Sequence, residues 1–232
     1  CSLGDLAVNG TAPVTLTVIP TLVGTLVNTA SLTSGTLDFG MGNNTASVTT
    51  TALEAPRITG APAPAFACVG GPASFNVVVT GSAPLSYQWY FGPDPISGAT
   101  SSVLNLTDVQ AAKLGTYTVV VLNPVGSASS SATLSLYPAP TIAAQPQNAV
   151  SPMGNTASFS VTATSPAAAT YQWLFNGAPI SGATSATLAL SNVTLAQAGN
   201  YSVVVGNCGG GSVTSQVATL TVTPIAGISF DF

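Results

Sequence analysis

Short runs in which Val, Leu and Phe alternate with Ser, Thr and Asn recur along the chain, separated by clusters of Gly, Pro and Asn. Alternation at period two places one face of an extended segment against a core, so the pattern predicts β-strands. Strands are expected over 73–79, 85–90, 102–106, 115–122 and 129–136, with counterparts 84 or 85 residues further on. Ahead of them, 11–18, 22–27, 32–39 and 46–53 are rich in Thr, Val and Leu and predict four more strands. Residues 40–44, rich in Gly and Asn, supply a turn that tolerates positive φ. No helix of useful length is expected; 109–114 and 193–198 each have room for one helical turn.

The same words are spelled twice. Tyr87-Gln88-Trp89 and Ile96-Ser97-Gly98-Ala99-Thr100 return 84 residues later as Tyr171-Gln172-Trp173 and Ile180-Ser181-Gly182-Ala183-Thr184. The offset holds for Leu104 and Leu188, Val109 and Val193, Gly115 and Gly199, Tyr117 and Tyr201, and Asn123 and Asn207, which marks one duplicated unit. Pro56, Pro62 and Pro64 stiffen the approach to the first copy, and Pro138 and Pro140 mark a short junction, so the modules should sit end to end. The expected organisation is a β segment at 1–55, modules at 56–138 and 139–224, and a tail or docking strand at 225–232. The first segment lacks Trp and is too short for a sandwich of about 100 residues. Its opening, 1–20, reads like the end of the second repeat, 208–224; either an upstream module ends there, or Thr-rich strands resemble one another by composition.

Charge changes the picture most. Only 3% of residues are charged: Arg57 and Lys113 against Asp5, Asp38, Glu54, Asp94, Asp108 and Asp231. Two basic residues cannot neutralise a phosphate backbone or anchor to anionic lipid, so no nucleic-acid partner is expected. No apolar run reaches the roughly 18 residues of a membrane span, so none is expected. So neutral a surface gives copies little electrostatic reason to stay apart, which favours self-association. Three cysteines, no histidine and no leader ahead of Cys1 read as a processed or excerpted product, extracellular or on the cell surface.

Candidate chemistry is sparse. Without histidine the Ser-His-Asp and Cys-His routes are closed, and the acids Asp94 and Asp108 have Ala178 and Asn192 as counterparts. No catalytic residue, metal site or cofactor is expected. Gly209-Gly210-Gly211 precedes neither a helix start nor a Lys and reads as a hairpin tip rather than a phosphate loop. Five Asn-x-Ser/Thr triplets, at Asn9, Asn43, Asn105, Asn192 and Asn200, are candidate glycosylation sites.

The order Tyr-Gln-Trp, Ile-Ser-Gly-Ala-Thr, Leu-x-Leu, Gly-x-Tyr-x-Val-Val-Val-x-Asn resembles the immunoglobulin-like, I-set-like repeats of large secreted and surface proteins of bacteria, twice over within 56–224. The resemblance implies an all-β fold of tandem immunoglobulin-like sandwiches. It makes Trp89 and Trp173 buried strand tryptophans, and Tyr117 and Tyr201 tyrosine corners. Where antibody domains carry their inter-sheet cysteines, this chain has Val77 with Val119 and Val161 with Val203. Burying one Trp removes about 150–250 Å² from water, an upper bound near ~4–6 kcal/mol at about 25 cal/mol per Å². That matches or exceeds the ~2–4 kcal/mol of a typical disulfide, so the fold stands without one.

Repeats of this kind often join a cysteine ahead of strand B to one in the F–G hairpin of the same domain. Here Cys68 holds the first place in repeat one and Cys208 the second in repeat two, while Pro124 and Pro152 occupy the places of their mates. Equivalent points of modules in line lie about 30–40 Å apart, whereas a disulfide needs Cα atoms within about 7 Å. The expectation is therefore a cross-link between chains, Cys68 with Cys208 or Cys1 of a neighbour; the alternative is free buried thiols or Cys1 joined to Cys68.

Together these readings predict a structural subunit of an extracellular filament, appendage or surface layer, forming homopolymers by β-strand addition. Val14, Leu16, Val18, Leu22 and Leu26, with Ile228, Phe230 and Phe232, are the candidate assembly strands. The alternative is a spacer or binding module of a large secreted adhesin or enzyme, meeting surface glycans or proteins through loop tips at 92–94, 123–126 and 207–211.

Overall fold

In the computed structural model, residues 4–5, 7, 9–37 and 39–224 are described. Where Thr and Val alternate near the N-terminus, β1 (Gly24–Ser31) and β2 (Thr45–Ala52) pair antiparallel, Gly24 facing Ala52 and Ser31 facing Thr45. A 3₁₀ turn at Met41–Asn43 lies in the connection. Within the two strands only Leu26 and Ala52 are even half-buried. The strands expected at 11–18 and 32–39 do not form among the described residues. Their composition suits strands, but a strand exists only by pairing, and among the described residues the pairing beyond β1 and β2 stops at Leu32, whose N–H donates to Asn44 O at 2.8 Å.

The first module runs through β3 (Arg57–Gly60), β4 (Ala65–Ala67), β5 (Ala73–Asn76), β6 (Val78–Thr80), β7 (Ser86–Phe91), β8 (Asp94–Pro95), β9 (Val103–Leu106), β10 (Gly115–Asn123) and β11 (Gly126–Leu136). One layer is a five-stranded sheet ordered β4-β11-β10-β7-β8; the facing layer consists of the pairs β3-β6 and β5-β9. The second module repeats this with β12 (Thr141–Ala144), β13 (Ala149–Pro152), β14 (Ala157–Ser160), β15 (Thr162–Thr164), β16 (Ala169–Phe175), β17 (Ala178–Pro179), β18 (Thr187–Leu190), β19 (Gly199–Asn207), β20 (Ser212–Thr214) and β21 (Ala218–Thr223). Its larger sheet is ordered β13-β21-β19-β16-β17, with β20 on β19, facing β12-β15 and β14-β18. In each module one short strand joins in parallel, β4 on β11 and β13 on β21. The single helical turns fall at Ala111–Lys113 and Leu195–Gln197.

Between the layers Trp89 and Trp173 are fully buried, and Val77, Val119, Val161 and Val203 close around them. Phe75 bridges Trp89 and Tyr117 at ring distances of 6.0 and 5.1 Å, and Phe159 bridges Trp173 and Tyr201 at 6.1 and 4.7 Å. Aromatic contact and aliphatic packing thus fill the space that a disulfide occupies in antibody domains.

The twice-spelled motif is one hydrogen-bonded unit. The Gln88 side-chain amide donates to the carbonyls of Trp89 and Ile96 (2.8 Å each), and Gln172 does the same for Trp173 (2.9 Å) and Ile180 (2.8 Å). Trp89 N–H donates to Ala99 O and its indole N–H to Ser101 O; Trp173 repeats this with Ala183 and Ser185. The backward turn needs φ of +73° at Gly98 and Gly182, which glycine adopts without strain.

Tyr117 OH donates to Lys113 O (2.8 Å) and Tyr201 OH to Gln197 O (2.9 Å), tying each helical turn to the strand that follows it. Burial raises both phenol pKa values above the ordinary 10.0. A pKa raised by folding favours the neutral form, so this contribution to stability is complete below the unfolded value and is lost as pH climbs through the folded one. Stability should therefore fall above about pH 10. In an alkaline titration followed by phenolate absorbance, two of the six tyrosines should ionise only together with unfolding.

Candidate functional site: the inter-module junction

Where the modules meet, the turn after β4 (residues 68–72) faces the hairpin between β19 and β20 (residues 208–211), and Cys68 is disulfide-bonded to Cys208 in the same chain, with Cα atoms 4.7 Å apart. This overturns the expectation of a bridge between chains and that of free thiols or a Cys1–Cys68 pair. Cys1 itself lies outside the described residues. A separation of one module length holds for equivalent points of successive modules, and the two cysteines are not equivalent points. The Cys68 turn sits at the exit pole of module one, where Val109 N–H donates to Gly71 O and Tyr137 N–H to Ala67 O. The Cys208 hairpin sits at the opposite pole of module two, where Asn207 Nδ2 donates to Pro138 O (2.7 Å) and Ser165 Oγ (3.1 Å). In modules placed head to tail, those two poles touch.

The contact extends beyond sulfur. Val69 N–H donates to Cys208 O at 2.9 Å, and beside it, within module one, the rings of Phe66 and Tyr137 stack at 5.9 Å. The three glycines explain themselves here. A Cβ at Gly209 would strike the Tyr137 carbonyl, and one at Gly211 would come within 2.7 Å of the Ala139 Cβ. Gly210 has φ +85° and packs beside Val69. The run is the tip of a hairpin, made of glycine because the linker at 137–139 lies directly on it.

Because the atom in the way at position 209 is backbone, it cannot swing aside. Overpacking of this kind costs about 1–3 kcal/mol. Gly209→Ala should thus raise hydrogen exchange at the Val69 amide about tenfold or more while leaving the protection of Trp89 and Trp173 amides unchanged.

Module one presents the same device at its own leading pole, without sulfur. Asn123 Nδ2 donates to Glu54 O (2.7 Å) and Ser82 O (3.0 Å), and its Oδ1 accepts from Val125 and Gly126 N–H, with Pro124 where module two has Cys208.

Residues 56–136 match the immunoglobulin I-set domain model, and residues 139–207 match a second immunoglobulin domain model. Both modules are immunoglobulin domains. Among solved structures, the chain resembles the five-domain immunoglobulin segment of Sidekick-1 (19% identity, TM-score 0.50), the likeness covering 88% of this chain and 46% of that one. It also resembles a three-domain I-band fragment of titin (20% identity, TM-score 0.43, 75% and 67% covered) and the tandem immunoglobulin repeats of Dlar (26% identity, TM-score 0.35, 74% and 100% covered). The two family matches give the domain type, the Sidekick-1 likeness adds the fold alone, and none of them bears on a bacterial source.

Around the immunoglobulin domains the remaining candidates are dispersed. Asn9, Asn43, Asn105, Asn192 and Asn200 are all exposed, Asn9 and Asn192 with positive φ. Asp94 is exposed, and Asp108 accepts from the Gln110 side chain at 2.7 Å. Among the described residues no three metal-ligating side chains come together, and no helix is long and apolar enough to cross a membrane. Of the three loop tips considered for ligands, 207–211 is taken up by the junction. Val14, Leu16, Val18 and Leu22 are exposed and Leu26 is half-buried, whereas Ile228, Phe230 and Phe232 lie outside the described residues.

Proposed function

We propose that this chain is a stiff structural spacer in an extracellular protein of adhesion or surface type, two immunoglobulin domains held in line by a covalent bond. The Cys68–Cys208 bridge carries the reading. A disulfide exposed on the Cys208 side persists in an oxidising compartment, which supports the extracellular assignment. A bond between facing poles restricts the angle between domains, a constraint that a spacer uses and a catalyst does not need. Small-angle scattering of the full chain without reductant should give an elongated particle two domains long; a compact particle with the domains side by side would sink this reading.

A second reading, self-assembly into a filament by strand addition, draws on the β1–β2 hairpin and the apolar stretch before it. A two-stranded hairpin alone is marginal in water; among the described residues no strand pairs with either of its edges, and Leu16, Leu22 and Val27 are more than half exposed. Another copy, or a surface glycan or protein, would be the partner. Deleting residues 1–28 should then abolish polymers and leave both domains folded, and polymers that persist would exclude this route.

A further inference from the structure

We infer that the Cys68–Cys208 bridge is a mechanical bypass: tension applied to the two ends of the chain crosses from Cys68 directly to Cys208 and leaves the chain between them, with both core tryptophans, unstretched. The inference rests on the spacer reading for its use, but the load path follows from connectivity alone. The bonded residues are 140 positions apart, and the loop they close contains β5 to β19, with Trp89 and Trp173 inside it.

Outside the loop, the β1–β2 hairpin, β3 and β4 of the first domain and β20 and β21 of the second lie on the stretched path. Opening the hairpin and peeling the other four strands each lengthen the chain by less than about 10 nm at roughly 3.5 Å per residue. Both larger sheets keep their central strands β7, β10, β16 and β19 within the loop, so they cannot be drawn out while the sulfurs are joined. Opening the bridge would free about 46–50 nm of hidden chain.

The bridge is also a place where that reserve can be released. Cys208 is exposed and Cys68 half-buried, so a thiolate from solvent can reach the pair. A dithiol attacks one sulfur, the S–S bond breaks, and its second thiol resolves the mixed disulfide. Two electrons and two protons pass to Cys68 and Cys208, and the reagent leaves as a cyclic disulfide.

Single-molecule force spectroscopy of the full chain, held by handles at both ends, tests this. Without reductant every extension step should stay below about 10 nm up to detachment. With dithiothreitol, and in the C68S/C208S variant, two steps of about 22–28 nm should appear. If that variant does not fold, dithiothreitol on the unaltered chain gives the same comparison. Long steps without reductant, or only short steps with it, would overturn the bypass. A compact particle in scattering would remove the spacer reading and leave the short steps in place, so the two failures are distinguishable.

Discussion

Trp173→Ala should unfold the second immunoglobulin domain and leave the first one native. The indole of Trp173 is fully buried against Phe159, and its N–H is held by Ser185 O. Truncation to alanine forfeits burial and leaves a cavity, together about 3–5 kcal/mol. A domain of some 85 residues has only about 4–13 kcal/mol at ~0.05–0.15 kcal/mol per residue. The altered domain should therefore be largely unfolded or lose most of its urea midpoint. Trp89 then reports on the other domain alone, and its fluorescence transition should keep its position. A shift of the Trp89 transition as large as the loss in domain two would mean that the domains fold as one unit.

The second large effect concerns the bridge at equilibrium. Closing a loop lowers the entropy of the unfolded chain, by about 2–4 kcal/mol for a typical disulfide and near the upper end for a long loop. The C68S/C208S variant should lose stability on that scale, with the loss appearing in the unfolded state and not in the cores. Two measurements check it: urea unfolding with and without reductant, and the m-value, which should rise without the bridge because the unfolded chain exposes more surface. Unchanged midpoints would show that the open junction gains elsewhere what the closed loop supplies.

The repeat of Tyr-Gln-Trp and Ile-Ser-Gly-Ala-Thr made both sandwiches legible in the sequence, because the residues of that unit act locally and separately. Trp fills the core, Gln ties the returning loop and Gly turns it. Alternation located β10 and β19 for the same reason, since every second side chain there is buried. It misplaced the strands at 11–18 and 32–39 because composition reports what a segment tolerates, whereas pairing depends on a partner. The cysteine connection was not legible because comparing repeats position by position says nothing about which pole of a sandwich a loop occupies. One signal does point to it. Module two carries a longer hairpin than module one, with three glycines after Cys208 where module one has only Pro124, Val125 and Gly126. A tip stripped of side chains beside a short linker indicates that something lies against it.

Pro124 and Pro152 stand at the two outer poles in the places that Cys208 and Cys68 hold at the inner ones. Bending is thereby denied at the waist of the pair and left to its ends. In any longer string made of such pairs, the statistical segment would be two domains instead of one. Since mean-square span grows in proportion to segment length at fixed contour, the string would reach about 1.4 times as far on average, a gain in persistence obtained with two sulfur atoms and a slightly longer hairpin.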